Sequence, residues 1–153
     1  MKEASRTAAG HRRTRNDHAA ETAEDYVEAI GDLTKQHGRC RVVDLARHFG
    51  VSHVTVTKIL SRLQREGLVE TQKYGPITLT ERGKQLAARS RRRHQVVYQF
   101  LVAIGVSEAN AAIDAEGIEH HVGSETLARL EEYAAAKLSR KSRRSVAKRS
   151  APD

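Results

Sequence analysis

Residues 114–121 read DAEGIEHH, placing three acids and two histidines within eight positions. On a helix, positions three and four apart share a face, so Glu116, Glu119 and His120 form one patch of two carboxylates and an imidazole. Like charges at that spacing cost a bare helix about 0.2–0.5 kcal/mol, which calls for something that offsets the repulsion. Asp25 and Glu28 repeat the acidic i, i+3 pairing earlier in the chain, and His94 closes the run SRRRH. Each residue taken singly reads as solvated surface; together they read as a divalent cation site. Four carboxylates and two histidines, with no thiolate, are a hard, oxygen-rich donor set suited to Mn2+ or Fe2+, and Zn2+ or Co2+ would still bind. Two divalent ions would neutralise the four carboxylate charges. His121 projects about 100° away from His120 and is not expected to be a ligand.

The acids are segregated along the chain. The 153 residues carry a net charge of +8, yet residues 17–34 hold six acids and no lysine or arginine, and residues 94–138 hold seven acids against two bases. Between them, residues 35–93 carry fourteen bases and four acids, a segment built for phosphate. Residues 1–16 and 139–153 are basic, lack apolar periodicity, and are expected to be disordered arms that could touch a DNA backbone. No long apolar run and no signal-peptide pattern is present, so a cytoplasmic protein with no membrane association is expected. The lone Cys40 excludes an internal disulfide and a multi-cysteine zinc site, and reads as a small half-buried residue near a helix end.

The elements that must position these residues follow from periodicity. Tyr26, Val27, Ile30 and Leu33 predict a helix over 17–37 that ends near Gly38. A second helix over 42–49 brings Val43, Leu45, Ala46 and Phe49, and Gly50 ends it. Ser52 is placed to cap a third helix running to about Glu66, with Val56, Ile59, Leu60 and Leu63 inward and Val51 plugging the junction. LVETQKYGPITLT then predicts a hairpin turning at Lys73, Tyr74, Gly75 and Pro76. Thr80 caps a long helix from Glu81 toward Ile104, apolar at Val96, Val97, Phe100, Leu101 and Ile104. Ser107 caps a helix to about 122, and Ser124 another to about 137, with Leu127, Leu130, Ala134 and Leu138 on one side.

Helix, helix, the turn FGVS, helix and hairpin is the order of a winged helix-turn-helix. The expected fold is mainly α: a winged helix-turn-helix with a small β-hairpin wing over 17–80, then an all-helical dimerisation and metal-binding region over 81–138. With the apolar stripe of the third helix inward, His53, Val54, Thr57, Lys58 and Arg62 face outward, near where base edges are reached in the major groove. Lys73 at the wing tip and Arg41 are expected to meet phosphates, which gives affinity and salt dependence without sequence information.

AEDYVEAI, GVSHVTVTKILSRL, RRRHQVVYQFLVAIGV and DAEGIEHHVGSETL, in this order and spacing, resemble the manganese-transport regulator branch of the diphtheria-toxin-repressor family over residues 22–137. The resemblance implies a homodimeric repressor of manganese-transport genes, activated by Mn2+ and bound to double-stranded palindromic operator DNA. It also implies two metals per subunit, with Asp25, Glu28, His94, Glu116, Glu119 and His120 matching the family's ligand positions. In the family's iron-responsive branch the counterparts of Asp25 and Glu116 are typically methionine and cysteine; both are carboxylates here. Ala112 and Tyr98 stand where that branch has the histidine and glutamate of a second, ancillary metal position, and its SH3-like domain is not expected. The basic arms are not part of the family core.

Three alternatives remain at the level of sequence. A repressor of the same fold could answer to Fe2+, a metal-independent one could carry the acids merely as surface, or a carboxylate-bridged metalloenzyme could use the same donors. Against an enzyme, every proposed ligand can be spent on holding ions, and no separate nucleophile, acid–base pair or glycine-rich loop for a small-molecule substrate is present.

Overall fold

The computed structural model describes the backbone of residues 2–72 and 75–149, and side chains over 17–72 and 75–139. Over the arms expected to be disordered the backbone is helical at 2–16 and 139–149, where α1 and α6 run beyond the expected 17–37 and 124–137; side chains are described there only for Ser139, and the wing-tip residues Lys73 and Tyr74 lie outside the described residues. In chain order the elements are α1 (Lys2–His37), α2 (Val42–Phe49), α3 (His53–Arg65), β1 (Val69–Thr71), β2 (Ile77–Leu79), α4 (Glu81–Ile104), α5 (Glu108–Ile118), a 3-10 turn (Glu119–His121) and α6 (Ser124–Arg149). They form two compact units, residues 1–89 and 90–153.

The first unit is a winged helix-turn-helix. Tyr26, Val27 and Ile30 of α1 meet Leu45 of α2, Val56, Leu60 and Leu63 of α3, and Val69 and Ile77 of the hairpin in one core. Each such side chain, fully buried, contributes about 1.5–3 kcal/mol. Tyr26 stacks on Phe49 with ring centroids 4.3 Å apart. The α2–α3 turn needs a left-handed residue, supplied by Gly50 at φ 64°, whose N–H returns to the Ala46 carbonyl. Ser52 caps α3, its hydroxyl accepting from the Thr55 N–H at 3.1 Å. Ile59 is only partly buried, while Val43 and Val51 are exposed. Val51 therefore does not plug the junction; its N–H joins the Ala46 carbonyl at 3.0 Å, and backbone bonding closes the turn.

β1 and β2 pair antiparallel, Val69 opposite Leu79 and Thr71 opposite Ile77. Cys40 is fully buried, not half-buried as expected, and its carbonyl accepts the Ile77 N–H at 2.8 Å. Burial, helped by the Asp44 carboxylate, pushes its thiol up to about 11, so it is a neutral core residue. Thr80 fastens the start of α4: its hydroxyl donates to the Gly67 carbonyl at 2.7 Å and accepts from the Gly83 N–H at 3.0 Å. Gly83 itself lies against the residue that precedes β1, where an added Cβ would fall 2.1 Å from the Leu68 carbonyl oxygen.

In the second unit Val97 and Leu101 of α4 pack on Ala111 and Ala115 of α5, with Phe100, Leu127 and Leu130 at the margin. Ser107 caps α5, accepting from the Asn110 N–H at 3.4 Å. The expected single helix to about 122 instead stops at Ile118 and tightens into the 3-10 turn. α6 begins at Ser124 itself, with the Gly123 carbonyl accepting its first helical bond from Leu127 at 2.9 Å. Ala134 is buried, whereas Ile104 and Leu138 are exposed.

Candidate metal centre and nucleic-acid interface

α4 and the end of α5 bring donors together in the second unit. Among the described residues, His94, Glu116 and Glu119 each offer a ligand atom within 4.8 Å of the others. The distances from His94 Nδ1 are 3.5 Å to Glu116 Oε1 and 3.1 Å to Glu119 Oε2. The opposite oxygen of Glu119, Oε1, lies 3.6 Å from His120 Nε2. One carboxylate thus stands between two imidazoles, each oxygen facing a different ring.

Burial is graded across the cluster. The Glu119 side chain is 4% exposed and that of His120 5%, whereas His94 is 27% and Glu116 70% exposed. A carboxylate buried this far is costly unless cationic or hydrogen-bonding groups surround it. An imidazole nitrogen and carboxylate oxygens within reach of one another, with no sulfur, suit a hard divalent cation.

The helix-to-3-10 transition falls between Glu116 and Glu119. Glu116 projects from the last turn of α5, while Glu119 and His120 belong to the tighter turn that follows. Arg93, beside His94 on α4, donates from its guanidinium to the backbone carbonyl of Glu119. Asp25 and Glu28 lie three residues apart on α1, both half-buried, in the first unit. Ala112 and His121 are exposed.

Around α3, the expected DNA-facing residues separate into two groups. His53, Thr57 and Lys58 are exposed and Val54 is 78% exposed, a side chain of that size with little packing of its own. Arg41, exposed at the start of α2, lines a concavity of about 440 Å³ together with His53, Thr57, Ser61, Gln64 and Gln72. Arg62 departs from the group. Its guanidinium donates to the Ala19 carbonyl of α1 at 2.9 Å, and its Nε lies 3.5 Å from Glu66. Arg62 is half-buried, and its long side chain reaches α1. Ser61, Gln64 and Arg65, three and four residues on from Thr57 and Lys58 or from one another, are exposed and line a concavity with Lys58. Gln64 also accepts from the Thr71 hydroxyl at 2.9 Å, joining α3 to the wing.

Residues 18–77 match the family described as iron dependent repressor, N-terminal DNA binding domain, and residues 80–136 match iron dependent repressor, metal binding and dimerisation domain. The chain is 48% identical over 118 residues to a transcriptional regulator MntR of Escherichia coli O6:H1, covering 77% of this chain and 76% of that protein. It is 38% identical over 107 residues to an HTH-type transcriptional regulator MntR of Geobacillus thermodenitrificans, covering 70% and 76%. Among solved structures, a manganese-dependent transcriptional repressor in complex with manganese superposes with a TM-score of 0.64 at 31% identity, over 74% of this chain and 52% of that one. This chain spans about half the length of such solved relatives. It belongs to the iron-dependent repressor family, in the branch of the manganese-transport regulators, and is a transcriptional regulator and not an enzyme.

Proposed function

We propose that this regulator is a Mn2+-activated repressor of manganese-transport genes, binding as a homodimer to palindromic operator DNA in the cytoplasm. The observation that carries the metal reading is the Glu119 carboxylate, buried between His94 and His120 with one oxygen toward each. With one oxygen toward each imidazole, Glu119 would offer a donor to each of two ions, in keeping with two per subunit. The proposed ligands are His94, Glu116, Glu119 and His120, completed by Asp25 and Glu28 of α1. The relatives named for manganese regulation support Mn2+ over Fe2+ as the activator. Bound metal supplies positive charge that neutralises the acids and fixes the side chains around it.

His53, Val54, Thr57 and Lys58 read the major groove in this proposal. Val54 supplies an apolar surface for a thymine methyl, and Lys58 a cation for guanine or phosphate. Arg41 and Lys73 meet phosphates. Exposed Ile104, Ile113 and Leu138 of the second unit offer apolar surface to a second protomer. In the dimer, metal raises the fraction of molecules whose two recognition helices match the DNA repeat of about 34 Å. A tenfold rise in that fraction strengthens operator binding by about 1.4 kcal/mol. Among the described residues no helix is long and apolar enough to cross a membrane.

The test is fluorescence anisotropy of chelator-stripped protein on its own upstream DNA, at fixed salt, titrated with Mn2+, anaerobic Fe2+ and Zn2+. Binding should appear only with metal, most selectively with Mn2+, and vanish in Glu119→Ala. Equal binding with and without metal refutes the switch.

A further inference from the structure

We infer that Arg93 is a positioning residue for the metal centre, holding the 3-10 turn that presents Glu119 and His120. This rests on the reading of the cluster as a Mn2+ site and adds a residue outside the proposed ligand set. The side chain starts one position before His94 on α4 and reaches across to donate to the backbone carbonyl of Glu119. That carbonyl sits where α5 has ended and 3-10 geometry begins, at the point where a helix C-terminus leaves acceptors needing partners. A guanidinium meets this need well, since its N–H fork is planar and always charged.

The same bond ties two donor-bearing elements. His94 follows Arg93 directly, and the bonded carbonyl belongs to Glu119, so the contact spans α4 and the turn between adjacent parts of the cluster. Glu119 and His120 are almost fully buried, and their side-chain directions depend on the backbone of those three residues. If the turn relaxed toward α-helix, each successive side chain would rotate by about 100° instead of 120° and the two would leave their present positions.

Charge and position make opposite demands here, which makes the inference testable. A guanidinium beside a cation site repels the incoming ion, so on charge alone its removal should tighten Mn2+ binding. On the positioning argument its removal should weaken binding, by about tenfold or more as for other groups that orient metal ligands.

The experiment measures Mn2+ affinity of the full chain by electron paramagnetic resonance of the free ion, for wild type, Arg93→Met and Arg93→Lys. Backbone hydrogen exchange over residues 118–123 is followed in the same metal-free proteins. Arg93→Met should bind at least tenfold more weakly and exchange faster in that turn alone; Arg93→Lys, which keeps a donor and the charge, should fall between it and wild type. Unchanged or tighter binding by Arg93→Met, or unchanged exchange in the turn, overturns the inference. If Arg93→Met does not fold, Arg93→Lys decides: faster exchange in the turn with wild-type affinity overturns it, and faster exchange with weakened affinity supports it. Failure of wild type itself to bind Mn2+ refutes the underlying metal reading instead.

Discussion

The guanidinium of Arg62 donates to the carbonyl of Ala19 at 2.9 Å, fastening the recognition helix to a helix 43 positions earlier in the chain. The residue therefore ties α3 to α1. Arg62→Met should lower the stability of the protein by about 1 kcal/mol in urea titrations while leaving the salt dependence of operator binding intact. Lys58→Met should do the reverse, changing stability by less than about 0.5 kcal/mol and reducing the slope of log K against log salt by about 1. A reduced slope in Arg62→Met would place this residue on the DNA after all.

Replacing Glu116 with cysteine exchanges a hard oxygen for a soft sulfur at the most exposed donor of the cluster. The preference for Mn2+ over Zn2+, read as the ratio of half-saturation concentrations in the operator-binding assay, should fall by about tenfold or more. An unchanged ratio would show that donor softness at this position does not set selectivity.

Cys40 gives the fold an alkaline limit. Its folded-state pKa is raised by burial and by Asp44 to about 11, from an ordinary value of 9.0. A raised pKa stabilises the fold fully below the unfolded value, and that contribution is lost as pH climbs through the folded one. Wild type should lose on the order of 2 kcal/mol between pH 9 and 11 from this group. Cys40→Ala should lack that increment, and parallel urea midpoints for the two proteins at pH 8.5 and 10.5 would refute it.

Two helical glycines should respond oppositely to alanine. At Gly83 the new Cβ meets the Leu68 carbonyl oxygen at 2.1 Å, whereas at Gly31 it meets only Leu79 Cδ1 at 3.6 Å, an ordinary contact. Gly83→Ala should destabilise by about 1–3 kcal/mol through overpacking against backbone. Gly31→Ala should stabilise by about 0.5–1 kcal/mol, since alanine loses less conformational freedom in a helix. Thermal melts of the two variants separate these outcomes.

Much of this architecture was legible because its determinants are local. Ser52 and Ser107 cap the helices their positions announced, Gly50 makes the left-handed turn, and the apolar spacing of Val56, Leu60 and Leu63 identifies the inner face of α3. The misses have non-local causes. Arg62 is outward by periodicity, but a side chain of its length takes its partner from the tertiary fold, here a carbonyl on α1. Val51 carries a residue type suited to a core yet stays exposed, because the turn is closed by backbone hydrogen bonds. Helical spacing correctly joined Glu116 to Glu119 but carried α5 too far: a 3-10 turn has nearly the same period over three residues and leaves no distinct mark in sequence. No spacing rule connects His94 with Glu116 and Glu119 on another helix; the segregation of the acids grouped them as a cation site, and the family resemblance matched them as ligand positions.

The graded burial of the cluster implies an order of events. Solution has open access to Glu116 and almost none to Glu119 or His120, so a hydrated cation held by these residues would meet the wet carboxylate first and the dry one last. Glu116 would then govern how quickly such a regulator registers arrival, and Glu119 how long it remembers.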